Sequence, residues 1–135
     1  MKPGFLFALC LCFCIIATIG CGNGRQQLKG KVTFEDGSPV PCGTICFLQG
    51  NHESRGTIQS DGSYVVGTLS TNDGIPPGEY QVYVTNVVEE RGMDSSGMPI
   101  VVSIIDEKYT SPTKSGITYK TGKSPFDVKV ERAKR

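Results

Sequence analysis

The chain has 135 residues, the size of one domain, with 14 Lys plus Arg against 13 Asp plus Glu. That balance leaves no basic excess for holding nucleic acid, and 38% hydrophobic content is too much for a disordered chain. The six Cys would suit a disulfide scaffold, but Cys10, Cys12 and Cys14 all fall in the first apolar run.

After Lys2 no charge occurs from Phe5 to Ile19. As a helix that run spans about 22 Å at ~1.5 Å per residue, short of a ~30 Å hydrocarbon core. One Lys, a short apolar run and small residues after it predict a secretory signal peptide over residues 1–20. Composition turns polar at Gly20-Cys21-Gly22-Asn23-Gly24. Thr18-Ile19-Gly20-Cys21 resembles the lipobox of bacterial lipoproteins, in which a small residue precedes a Cys that is lipidated and becomes the first residue of the mature chain. Gly20 and Cys21 match; Thr18 stands where Leu, Val or Ile is usual. The alternatives are a plain signal peptide with an ordinary Cys21, or an uncleaved signal anchor. The resemblance implies cleavage between Gly20 and Cys21, a covalent lipid on Cys21 and a tether over residues 21–27. Acyl chains at ~0.8 kcal/mol per buried methylene then hold the domain on a bilayer. The expected location is the bacterial cell envelope, with the domain exported and facing the periplasm or exterior.

Cleavage would remove Lys2 and leave basic and acidic side chains equal in number, so the mature domain has no field that draws in charged partners. It would leave Cys42 and Cys46 as the thiols. Four residues of strand span about 13 Å, whereas a disulfide needs Cα atoms within ~7 Å. A bridge would need Gly43 to break the strand, so two free thiols are expected.

From Leu28 the apolar period is two. Leu28, Gly30, Val32 and Phe34 alternate with Lys29, Lys31, Thr33 and Glu35, a strand with one buried face. Asp36-Gly37 turns the chain, and Ile45 and Phe47 resume the apolar face. Ile58 follows in a third strand; Asp61-Gly62 signals a hairpin leading to Tyr64 and Val66. Pro76-Pro77-Gly78 turns into Tyr80, Val82 and Val84. Ile117 and Tyr119, the turn Thr121-Gly122-Lys123, then Phe126, Val128 and Val130 predict a closing hairpin. The expectation is all-β: an antiparallel sandwich of about seven strands over residues 28–131, followed by a basic tail at 132–135.

Gly30-Lys31-Val32-Thr33-Phe34, Asp36-Gly37-Ser38-Pro39-Val40, Gly43-Thr44-Ile45-Cys46-Phe47, Asp61-Gly62-Ser63-Tyr64 and Pro77-Gly78-Glu79-Tyr80 follow one another in the order of a carboxypeptidase regulatory-like domain, which they resemble. The later run Glu107 to Pro112 with Ser115 to Thr118 is similar to the C-terminal half of small bacterial lipoproteins carrying that domain alone. The resemblance implies a prealbumin (transthyretin-like) sandwich. Turn and core roles also explain these residues, with Tyr64 and Tyr80 as amphipathic plugs at strand starts.

Catalytic chemistry is sparse in this sequence. His52, in Gly50-Asn51-His52-Glu53, is the single histidine, and zinc hydrolases need two or three nitrogen ligands. Hydroxyisourate hydrolases share the transthyretin-like fold but use several histidines and a Tyr-Arg-Gly-Ser end, absent here. No Gly-x-Ser-x-Gly elbow presents a serine to His52, which reads as an exposed loop residue. Five residues separate Gly116 from Gly122 where a phosphate loop has four, so a turn is expected there. Glu89, Glu90, Asp94, Asp106 and Glu107 lack the alternate spacing of a calcium loop. No metal, no catalytic residue and no cofactor beyond the lipid on Cys21 is expected.

Asn86 to Lys114 is long for a connection, and long loops in compact domains are functional or disordered. It holds Met93, Met98 and the apolar run Pro99 to Ile105. One reading makes Ile100 to Ile105 a further strand or the cover of a sheet edge. The other makes Met93, Met98, Ile100, Val102 and Ile104 a surface for a partner protein or glycan. Together these features describe a membrane-anchored, non-catalytic envelope lipoprotein whose sandwich is a binding or assembly module. The alternative is a small envelope hydrolase using His52.

Overall fold

The computed structural model describes residues 24–135; the expected signal peptide over residues 1–20, its cleavage point at Gly20 and the expected lipidation at Cys21 lie outside the described residues. Nine strands follow in order. They are β1 (Lys29–Phe34), β2 (Thr44–Gln49), β3 (His52–Thr57), β4 (Ser63–Val65) and β5 (Glu79–Thr85), then β6 (Val88–Met93), β7 (Pro99–Ser103), β8 (Ile117–Lys120) and β9 (Val128–Val130). A 3₁₀ turn spans Glu107–Thr110. Seven strands make two sheets, β4-β1-β9 and β3-β2-β5-β8, while β6 and β7 form a separate hairpin. The all-β sandwich and its seven strands are as the period-two pattern predicts.

The alternating residues of both sheets meet in one core. Val32, Phe34, Tyr64, Val128 and Val130 come from the first sheet, and Ile45, Phe47, Tyr80, Val82, Val84 and Tyr119 from the second. Phe47 is fully buried, with the rings of Tyr64, Tyr80, Tyr119 and Phe126 at centroid distances of 5.7 to 6.4 Å. The tyrosines bring their own hydroxyls and satisfy them on backbone carbonyls: Tyr64 donates to Phe126, and Tyr80 donates to Pro76. Such pairing removes the cost of burying a polar tip. Gly30 is needed here, because a Cβ would lie 1.9 Å from the Phe126 carbonyl oxygen.

Two turn signals are real but do not make hairpins. At Asp61-Gly62 the Gln59 N–H donates to Ser63 and the Gly62 N–H to Gln59, yet β3 and β4 belong to different sheets. A single Arg55–Gly67 bridge ties the two sheet edges on that side. Likewise β8 pairs with β5, while the chain after Thr121-Gly122 crosses to the other sheet, where β9 runs parallel to β1. The expected closing hairpin is therefore a crossover, and the sandwich holds one parallel pair. Alternation reports which face is buried, not which strand lies alongside.

The sandwich takes up residues beyond both of its expected boundaries. Gln26 is already bridged to Ile75, and Arg25 pairs with Asp73, so residues ahead of Leu28, expected to lie outside the sandwich, are held against it. At the other end Arg132 is bridged to Ile105, so residues 132–135 are not simply a tail.

Candidate partner-binding surface

Asn86, at φ 57°, turns the chain out of β5, and Val87 is buried beneath it. The Ile104 N–H donates to the Val87 carbonyl at 3.1 Å and closes the base of the hairpin. Beyond that point β6 and β7 pair only with each other: Val88 opposite Ser103, Glu89 opposite Val102, Glu90 opposite Val101, then, after a bulge, Met93 opposite Pro99. The tip is built by Asp94, whose carboxylate accepts from the Ser96 and Met98 N–H groups at 2.8 and 3.0 Å. Every residue of β6 is exposed, as is all of β7 except Val102.

The hairpin sorts the five predicted partner residues. Met93 is 74% exposed and Met98 63% exposed, one on each side of the tip, and Ile100 is exposed along β7. Val102 is half-buried. Ile104 packs against the core, so it anchors the hairpin and leaves the surface set. The run Ile100 to Ile105 is a strand through Ser103, but it lies along no edge of the sandwich. Only Ile104 to Asp106 run beside residues past the end of β9, through Asp106 N–H to Glu131 and Ala133 N–H to Ile104. The sequence did not show that β6 would come back as its partner, although Asp94-Ser95-Ser96-Gly97 is a readable turn.

The base is held by charge and packing. The Arg132 guanidinium lies 3.8 Å over the Phe34 ring and pairs with Asp36 at 3.3 Å. Hydrogen bonds from Ser38, then Arg132, hold the Asp36 carboxyl down to about 2. Lys108 and Glu131 pair at 2.5 Å beside Tyr109. A concavity of about 420 Å³ opens at the base, lined in part by Glu89, Arg91, Val102, Arg132 and Lys134.

The hairpin and the N-terminal segment sit at opposite ends of the sandwich. β1 leaves Leu28, beside the Gln26–Ile75 bridge, and runs to Phe34. β9 runs parallel to it and ends with Val130 opposite Phe34, and the Ile105–Arg132 bridge follows. Strand β1 therefore separates the two ends by about 20 Å at ~3.3 Å per residue.

Searches with protein-family models, against curated proteins and against solved structures find no match for this chain.

His52 opens β3 opposite Gln49, across a two-residue turn at Gly50-Asn51, and is exposed; it is a strand residue rather than a loop one. The nearest serine on its strand, Ser54, is buried and its hydroxyl pairs with that of Thr68 at 2.8 Å. On the outer face of the larger sheet, Tyr83 donates to the Glu53 carboxylate, which also accepts from Arg55, and these side chains lie beside Cys46 in register. Burial pushes Glu53 up, but those hydrogen bonds outweigh it and hold its carboxyl below the usual range. Burial, and then the Glu53 charge, push the Cys46 thiol up, which makes it a poor nucleophile. Cys42 and Cys46 are both free: Gly43, at φ 119°, ends the extended run, Cys42 Sγ lies 3.5 Å from the Val88 carbonyl, and Cys46 faces Thr85. No group of three potential metal ligands occurs among the described residues.

Proposed function

We propose that this chain is a lipid-anchored protein of the bacterial cell envelope, with a carboxypeptidase regulatory-like sandwich that displays the β6–β7 hairpin to a partner protein. The observation that carries the reading is the placement of the hairpin at the end of β1 remote from the N-terminal segment. A lipid on Cys21 would put the bilayer at one end and point the hairpin away from it. The partner is a protein with an extended segment, because each hairpin strand has one neighbour and one open edge of backbone N–H and C=O groups. Met93 and Met98 add adaptable apolar contact beside the tip. The order of the turn motifs and the lipobox resemblance support the family and the anchor.

The test has two arms. Cys21→Ser should abolish the lipid-sized mass increment and move the protein out of the detergent phase. A photo-crosslinker placed at Met98 in the wild-type background should trap one envelope protein, and the same group at Gln81, exposed on the larger sheet, should not. An unmodified Cys21 in mature protein overturns the anchor; equal labelling from both positions overturns the hairpin.

A further inference from the structure

We propose that the loop Thr68 to Asn72 is a lipid-surface contact that seats Leu69 at the boundary between headgroups and acyl chains of a phospholipid bilayer. The inference rests on the reading of Cys21 as the lipid anchor and adds a second point of attachment to it.

Leu69 is 81% exposed, more than any other large apolar side chain among the described residues. The loop that carries it is firmly built. The Asp73 carboxylate accepts from the N–H groups of Thr68 at 2.5 Å, Leu69 at 3.1 Å and Ser70 at 3.2 Å. The Thr68 hydroxyl donates to the Gly74 carbonyl at 2.7 Å. A loop held at its neck by these bonds presents Leu69 outward as part of its fold, not through disorder.

Position ties this leucine to the bilayer. Arg25 pairs with Asp73, and Gln26 exchanges backbone hydrogen bonds with Ile75 at 2.9 Å in both directions, so the loop is bound to the chain just after Cys21. From Cys21 to Gly24 a fully extended chain reaches at most about 11 Å at ~3.6 Å per residue. An acyl group on Cys21 therefore brings this end of the sandwich to the membrane surface. Between Thr68 and Asn72 the loop carries no ionisable side chain, and the Asp73 charge is offset by Arg25, so anionic headgroups meet no unpaired carboxylate there. Ser70, Thr71 and Asn72, all exposed, supply hydrogen-bonding groups at headgroup depth. One leucine does not hold a protein on a bilayer, but an anchor makes its insertion intramolecular, and then a single side chain suffices to set orientation.

The chain contains no Trp, so one introduced indole reports alone. The lipidated full chain is reconstituted into vesicles of phosphatidylethanolamine and phosphatidylglycerol, with and without brominated acyl chains. Variants Leu69→Trp and Thr71→Trp report from the loop, and Met98→Trp from the remote hairpin. Flotation with the vesicles reads the anchor separately. The expected result is flotation of all three, with bromine quenching of at least about two-fold for Leu69→Trp, as for an indole ~5–10 Å into the interface. Thr71→Trp should be quenched less, and Met98→Trp not at all. Flotation with Leu69→Trp unquenched, or with Met98→Trp quenched as much, overturns the loop contact and leaves the anchor standing. Failure to float overturns the anchor and the contact with it.

Discussion

Arg25 and Asp73, 48 residues apart in the chain, form an ion pair with side chains only 21% and 18% exposed, and this pair joins the first described residues to the loop that follows β4. Asp73 is held below the usual carboxylate range by the Thr68 N–H, then by Leu69 and Ser70 and by Arg25. A group whose folded pKa is depressed adds stability that is present above its unfolded pKa and lost as pH falls through the folded value. Asp73→Ala should therefore lower the urea midpoint at pH 7, and the gap to wild type should narrow below about pH 4. A gap that is constant from pH 7 to pH 3 would remove the carboxylate from the explanation.

Phe47 has four aromatic neighbours from both sheets around it. Truncating a fully buried aromatic removes its transfer energy and leaves a cavity. Phe47→Ala should cost about 3–5 kcal/mol by urea titration. A cost below about 1 kcal/mol would mean the two sheets do not share this core.

Tyr83 reaches across β2 to the Glu53 carboxylate on β3, above the Cys46 position. Tyr83→Phe should raise the Glu53 pKa towards the ordinary carboxylate value, read from its side-chain carbonyl shift. Tyr83→Ala, which removes the ring opposite Cys46 as well, should uncover that thiol. In wild type, a thiol reagent should modify half-buried Cys42 before Cys46; in Tyr83→Ala, Cys46 should react faster. Equal thiol rates in native wild-type protein would contradict the packing described.

The hairpin should be removable. Val87 and Ile104 already face each other, so a short Gly-Asn-Gly link can replace Val88 to Ser103. The cut must stop there, because Ile105 and Tyr109 beyond it are buried. Circular dichroism and thermal melting should show a folded sandwich within about 1 kcal/mol of wild type, since closing a shorter loop is entropically cheap. Collapse of the fold would make the hairpin a structural part of the sandwich.

His52→Ala should change stability by no more than ~0.5 kcal/mol, as expected of an exposed side chain. A loss of several kcal/mol, or loss of a measured hydrolytic activity, would bring His52 into the working parts of the molecule.

The alternation of Val32 and Phe34, of Ile45 and Phe47, and of Tyr80, Val82 and Val84 is enough to assign their strands and their buried faces, because burial on one side of a pleat is a local property. The turns at Asp36-Gly37 and Asp61-Gly62 are equally local. Pairing is not. Whether Val128 and Val130 lie against Tyr119 or against Val32 depends on where the chain goes between Gly122 and Phe126, and both arrangements bury the same residues.

The candidate surface divides along the same line. Met93 and Met98 could be named from the polar surroundings of their segment, and their exposure follows. Ile104 could not be separated from Ile100, since both sit in one apolar run; only the Ile104–Val87 hydrogen bond and the contact with the core distinguish them. An unbroken run such as Ile100-Val101-Val102 would ordinarily belong inside a sheet. It stays in solvent because the chain closes on itself at Val87 and Ile104, leaving β7 no neighbour but β6. Leu69 shows the same limit. Its loop composition is evident from the residues, but its position beside Arg25 exists only because β4 runs antiparallel to β1 and returns the chain to the end where the domain begins.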